Sequence, residues 1–359
     1  MNRRTLLLLI LLSVALAASS AQDNGVPQLQ PRPAEPATTA PSPVKQIFLD
    51  VQVTDKYGTQ VRGLQKQDFT LLDDKEPHDI LSFEAVDTSA SGDPGIEVVL
   101  VIDAINAGFN AVANERDQVK KFLLQNGGKL PVPMSLMVFS DKGVEAQKDS
   151  TRDGNALATQ YEQYQTGLRT INRSQGFYGA EERFDKSLKT IHSLTAYEAT
   201  RPGRKLVIWI SPGWPLLSTP RLHLSNKDQE HFFAMIVAAS AELRQARVTL
   251  YVVDPLGLAD FRTARYFEEF VKGVKSPGYA LPGDLGLQVL AVQTGGLVLD
   301  TTNDLTTSMA TCAADATSYY VLSFTPKRAD QANEYHSVKI NLDKAGLTAR
   351  TRTGYYNQP

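Results

Sequence analysis

The stretch V98-V-L-V-I-D-A-I-N106 decides how the rest of the chain is read. Five consecutive apolar residues, Val98 to Ile102, leave no polar face. Such a run suits a strand buried on both sides, as in a parallel sheet covered by helices. The run ends on Asp103. In open α/β sheets the carboxyl ends of the strands are where ligands sit, so an acid there asks for an explanation.

Working outward, the same texture recurs four times. MSLMVFS (134–140), KLVIWIS (205–211), VTLYVVD (248–254) and GLVLD (296–300) are nearly continuous in apolar residues. Helical spacing separates them in NERDQVKKFLLQN (114–126), AEERFDKSLKTIHSL (180–194), KDQEHFFAMIVAASAELRQ (227–245), DLGLQVLAVQT (284–294) and DLTTSMATCAADA (304–316). Alternating strands and helices predict a doubly wound α/β domain over residues 96–317. SDKG at 140–143 has hairpin chemistry, so GVEAQKD is expected to fold back antiparallel. The expectation is a mostly parallel six-stranded sheet.

Both flanks change period. In residues 45–87, Ile47, Leu49, Val51 and Val53 alternate with less apolar positions, and QVRGL, DFTLLDD and ILSFEAV continue as short strands between turns. After residue 317, YYVLSFTP, HSVKINLD and LTARTRTGYY read as three more strands. Each flank is near the size at which a lone chain buries too little surface to fold. The two are therefore expected to pack together as one β-sandwich (45–87 with 318–357), the α/β domain being inserted between them. TSASGDPG (88–95) reads as a linker.

The first residues have another character. Arg3 and Arg4 precede TLLLLILLSVALA and then ASSAQ, the charged, apolar and small-residue regions of a secretory signal peptide over residues 1–21. Ser19 and Ala21 occupy the positions a signal peptidase reads, and Gln22 becomes the new terminus. The alternative is an uncleaved anchor, for which the run is short. Residues 22–44 are rich in Pro, Ala, Gln and Thr and read as a disordered linker. Cleavage leaves 35 basic against 39 acidic residues. No basic run is present, which argues against nucleic acid as a partner. The one cysteine, Cys312, cannot form an internal disulfide and reads as a buried small apolar residue.

A strand ending on Asp103, in a parallel sheet with one antiparallel strand, resembles the von Willebrand factor A domain. FLDVQVTDKYGTQVRGLQKQDFTLLDD, LVIWISPGWP and YYVLSFTP with TRTGYY resemble the VWFA-related family described from acidobacterial secreted proteins, over residues 46 to about 357. The resemblance implies a Rossmann-like A-type fold with β flanks, and it implies no known reaction.

In such domains a Mg²⁺ is held at the carboxyl edge by Asp-x-Ser-x-Ser, a Thr and a second Asp. Mapped onto this chain, Asp103 matches, but Ile105 and Ala107 stand where the serines should be, and Pro212 where the second Asp should be. No Thr precedes the helix in SQGFYGAEERFDKSLKT. Asp103 and Asn106 are the remaining candidate ligands, too few oxygens for Mg²⁺. The expectation is a degenerate adhesion site without cofactor, in which Asp103 caps the loop that follows its strand.

Three readings of function remain open. The first is a secreted or periplasmic, non-catalytic protein-binding scaffold. Its surface would be the loops 104–110, 173–180 and 212–222, carrying Asp103, Asn106, Phe177, Tyr178, Ser211 and Trp214, with the aromatics as exposed anchors. The second is cation-dependent adhesion, with Asp103 and a partner carboxylate sharing the ion. The third is a serine hydrolase using Ser211, with Asp254 and His336 following in chain order; against it, Trp209 fills the first glycine position of the nucleophile elbow.

Overall fold

A computed structural model of the chain describes residues 46–88, 95–107, 109–140, 143–167, 177–215, 224–257 and 265–359. The expected signal peptide and linker, most of the 88–95 linker and parts of all three candidate binding loops lie outside the described residues.

The chain begins with four flank strands, β1 (Ile47–Asp55), β2 (Phe69–Asp73), β3 (Glu76–His78) and β4 (Ser82–Asp87). The α/β segment follows as β5 (Ile96–Asp103), α1 (Phe109–Leu123), β6 (Lys129–Ser140), β7 (Gly143–Ala146), β8 (Thr151–Asp153), α2 (Gly154–Gly167), α3 (Phe177–Glu198), β9 (Arg204–Ile210), α4 (Asn226–Gln245), β10 (Val248–Val253), α5 (Leu287–Gln293), β11 (Val298–Leu299) and α6 (Leu305–Ala314). Four strands close the chain: β12 (Ser318–Phe324), β13 (Glu334–Leu342), β14 (Leu347–Arg350) and β15 (Gly354–Asn357).

The central sheet has the order β11-β10-β9-β5-β6-β7, with β8 also on β6. Strands β11, β10, β9, β5 and β6 pair in parallel, while β7 and β8 run antiparallel to β6. Among the described residues the sheet thus has seven strands, not the six expected. The reason is the twelve-residue length of β6. β7 covers only Met137 to Ser140, and β8 pairs with the earlier part at Lys129 and Met134.

Every residue of β5 is buried. Alternate residues feed two cores, one on each face of the sheet. Val98, Leu100 and Ile102 meet Val119 and Phe122 of α1, Leu157 and Tyr161 of α2, and Met309 and Cys312 of α6. Val99 and Val101 meet Ile191 and Leu194 of α3, Leu243 of α4 and Leu290 of α5. Apolar burial on both faces is what the unbroken run in the sequence demanded. Helix α2 was not anticipated, although Leu157, Ala158 and Tyr161 carry a helical stripe and are buried.

The flanks form two four-stranded antiparallel sheets, β14-β1-β12-β4 and β15-β13-β2-β3. β1 lies between two C-terminal strands: Ile47 pairs with Phe324, and Gln52 with Arg350. β2 pairs with β13, from Phe69↔Leu342 to Asp73↔Val338. One apolar cluster joins both sheets through Leu49, Val51, Leu71, Leu322, Ile340 and Tyr355. QVRGL is not a strand; Gln60 makes only an isolated bridge to Thr54. Gly63, at φ +77°, turns the chain there. LTARTRTGYY makes two strands, because residues 351–353 leave the first sheet before β15 joins the second.

Candidate functional site

Asp103 ends β5 and is fully buried. Its Oδ1 accepts from the N–H groups of Ile105 (3.1 Å) and Asn106 (2.9 Å). Its Oδ2 accepts from Asn106 Nδ2 (2.9 Å), Trp209 Nε1 (3.1 Å) and Ser211 Oγ (2.9 Å). Five donors occupy a carboxylate with about four lone-pair directions. This is the loop-capping role, enlarged: Asp103 ties its own turn to the end of β9.

That donor set does not fit a hard cation. An ion would have to displace donors, and an indole N–H can donate but never coordinate. The side chains of Ile105, Ala107 and Pro212 bring no oxygen, as the sequence indicated. Asn106 turns its amide N–H group to Asp103 and to Ser187 Oγ (3.1 Å), leaving its Oδ1 buried without a partner.

Ser211 is fully buried, donates to Asp103 and accepts from the Gly213 N–H at 3.1 Å. His336, its expected hydrolase partner, instead bonds Asp74 in the flank, and Asp254 accepts from the Leu256 N–H at 2.8 Å. The geometry does not assemble these three residues as a triad.

Trp214 corrects a further expectation. It is 4% exposed, not a surface anchor. Gly213 takes φ +101°, and the turn lays the Trp214 ring edge-on against Trp209 with centroids 5.5 Å apart. A Cβ at Gly213 would lie 2.1 Å from Gln288 Nε2, whose donation to the Pro212 carbonyl fixes the turn. Of the expected binding residues, Asp103, Ser211 and Trp214 are buried and Asn106 is largely so. Tyr178, at 84% exposure near the start of α3, does face solvent, while the Phe177 side chain lies outside the described residues.

Sequence reasoning missed Glu115. It lies on α1, fully buried, and neither carboxylate oxygen has a hydrogen-bond partner. Burial drives its pKa well up, and the charge of Asp103 adds to the rise. Asp103 is also raised by burial, against the hydrogen bonds it receives. With five donors on Asp103 and none on Glu115, the proton of this pair belongs to Glu115. A signal existed: Glu115 stands four residues before buried Val119 and seven before Phe122, on the inward stripe.

A pH prediction follows from the sign of that shift. A carboxyl with a raised folded pKa contributes stability below its unfolded pKa of about 4.5, and that contribution is lost as pH rises through the folded value. Glu115→Gln is therefore expected to match the wild type near pH 4 and exceed it by about 2 kcal/mol at pH 8. Urea unfolding across that range checks it, and parallel profiles for the two proteins would contradict it.

The described residues that could hold a metal are elsewhere. One ligand atom each from Asp73, Asp74 and His336 lies within 4.8 Å of the others. β2 and β3 join through Asp74 and Lys75, at φ 51° and 69°, a two-residue hairpin of the primed kind. The left-handed turn breaks strand alternation and brings Asp74 to the same histidine as Asp73. His336 Nδ1 lies 2.8 Å from Asp74 Oδ2 and 4.0 Å from Asp73 Oδ1. Tyr355 stacks on the imidazole and donates to Asp73 Oδ2 at 2.8 Å. An imidazole nitrogen with two carboxylate oxygens suits a zinc-class ion rather than Mg²⁺. Asp74 occupies only the Nδ1 side of the histidine; His336 Nε2 and Asp73 Oδ1 are buried without a hydrogen-bond partner.

No protein-family model matches the chain, and no curated protein matches it. Among solved structures it is similar to the manganese-loaded TRAP protein of Plasmodium vivax, at 9% identity and TM-score 0.35, over 77% of this chain and 99% of that one. It is also similar to the pilus adhesin SpaC from Lactobacillus rhamnosus GG, at 11% identity and TM-score 0.38, over 86% of this chain and 48% of that one. A third likeness is to the SpRpn10 VWA domain, at 13% identity and TM-score 0.22, over 53% of this chain and 92% of that one. Likenesses this remote carry no weight here, and the architecture rests on the strand order and pairings above.

Proposed function

We propose that this chain is a non-catalytic protein-binding module, exported to the periplasm or the cell exterior and working without a cofactor. Its core is read as an A-type domain (96–317) whose ion site has become a structural hydrogen-bond hub. The flanks (45–87 and 318–357) are read as one β-sandwich into which that domain is inserted. Export rests on the Arg3–Arg4, apolar and small-residue pattern at the N-terminus. No helix among the described residues is long and apolar enough to cross a membrane.

One observation carries the binding reading. Between β6–β7 and α3 lies an open groove of about 230 Å³, lined by Met137, Val144, Ala146, Leu194 and Tyr197. Its surface is overwhelmingly apolar, and Val144 and Tyr197 are 41% and 44% exposed. β7 ends the sheet path on that side, so its outer edge offers backbone groups beside the groove. An edge strand next to an apolar groove suits an extended, apolar segment of a partner protein. The hub at Asp103 offers no such surface.

The test is capture from envelope extracts by the purified full chain, quantified by mass spectrometry. Val144→Asp with Tyr197→Ala is expected to reduce wild-type-specific capture at least tenfold, since losing one aromatic anchor commonly costs about 2 kcal/mol. Undiminished capture by that double variant, or no specific capture by the wild type, would overturn the reading.

A further inference from the structure

Where the flank meets the α/β segment there is a cavity of about 10 Å³, room for one water-sized occupant. Its lining is unbalanced in charge. Arg244 comes from the last turn of α4, Arg247 from the turn before β10, and Arg352 from the segment between β14 and β15. Against three guanidinium groups stands one carboxylate, Asp50 of β1.

Asp50 is already engaged, in an ion pair with the Arg247 guanidinium. Arg247 Nε remains buried without an acceptor. Arg352 is only 8% exposed, and neither its guanidinium group nor that of Arg244 has a hydrogen bond or ion pair among the described residues. The hydroxyl of Thr351, also on the wall, is buried without a partner. Thr294 Oγ1 is occupied on both sides, donating to the Ala291 carbonyl and accepting from the Leu250 N–H. The cavity is thus rich in donors and poor in acceptors.

Buried charge is tolerated when paired and costly when not. Burial lowers the pKa of Arg352 to about 10, with the nearby charge of Arg244 pressing the same way. Arg244 is lowered by burial as well. Protonated arginines that repel each other in a cavity are most simply balanced by an anion in that cavity.

We propose that this cavity binds a single monatomic anion of the halide class, chloride in solution. Its ligands are the guanidinium groups of Arg352 and Arg244, the free Nε–H of Arg247 and the Thr351 hydroxyl. Size selects the class, because a phosphate or sulfate exceeds a space fit for one water. The ion joins α4 and the turn after it to the chain between β14 and β15. It therefore acts as a removable fastener at the seam between the two parts of the fold. The inference does not depend on the protein-binding reading.

The experiment compares the full chain in sodium chloride and sodium gluconate at equal ionic strength. The wild type is expected to show a saturable rise in thermal midpoint of about 4 °C with chloride, half complete at low millimolar concentration. Arg352→Met, which keeps bulk and removes charge, is expected to lose that increment. Chlorine NMR line broadening on the wild type gives an independent readout, abolished by excess bromide. Equal midpoints in the two salts without line broadening, or the same chloride increment in Arg352→Met, would overturn the proposal. Should Arg352→Met not fold, Arg244→Met takes its place, with the same two outcomes.

Discussion

Replacing Asp103 by alanine is expected to destabilise the protein by about 4 kcal/mol or more. The change strands the N–H groups of Ile105 and Asn106, the Asn106 amide, the Trp209 indole and the Ser211 hydroxyl. Each buried donor left unpaired costs about 1–3 kcal/mol, with partial relaxation across the set. Asp103→Asn keeps the shape but sets an NH₂ group against donors, and is expected to cost nearly as much. Urea unfolding measures both. A loss below about 1.5 kcal/mol would show that water readily replaces the carboxylate, and would reopen the site to a ligand.

The second large effect is expected at the seam. Asp315, just after α6, is 7% exposed at its side chain and ion-paired with Arg350 of β14. Tyr251 of β10 donates to the same carboxylate at 2.8 Å. The Asp315 carbonyl accepts from Arg204 of β9 at 3.0 Å and from Gln52 of β1 at 2.5 Å. The residue thus holds both central strands and flank strands. Arg350→Ala removes the cation and leaves the carboxylate buried, a change that costs about 3–5 kcal/mol. Arg350→Lys restores charge without the planar fork and is expected to cost less than half as much. The alanine variant is also expected to split denaturant unfolding into two steps as the flank loosens first. A single transition within about 1 kcal/mol of the wild type would contradict both parts.

How far the sequence reached depended on what pattern can encode. The unbroken run through Val98–Ile102 could only be a strand covered on both sides, and it is. The alternation through Ile47, Leu49, Val51 and Val53 required one apolar neighbour layer, which the second flank sheet supplies. The missing oxygens at Ile105, Ala107 and Pro212 were legible one residue at a time. Trp214 was not, because its burial depends on Gly213 and on Gln288, a residue 74 positions away. The three-residue strand β8 left no pattern of its own; its existence depends on the length of β6. The Arg352 cavity is assembled from four separate stretches, so no local pattern could have announced it.

The placement of β1 has a consequence for the nascent chain. Its partners Phe324 and Arg350 emerge from the ribosome almost 300 residues after it. At about 5–20 residues per second that is a wait of roughly 15–60 seconds. During it, Leu49, Val51 and Val53 lie on a strand without its neighbours β12 and β14, an unpaired apolar edge of the kind that invites wrong pairing. The first strand made is thus among the last to be satisfied. A chain that stops short of residue 318 never completes its own N-terminal sheet, and any quality-control factor that recognises an unpaired apolar strand can sort it from the finished protein.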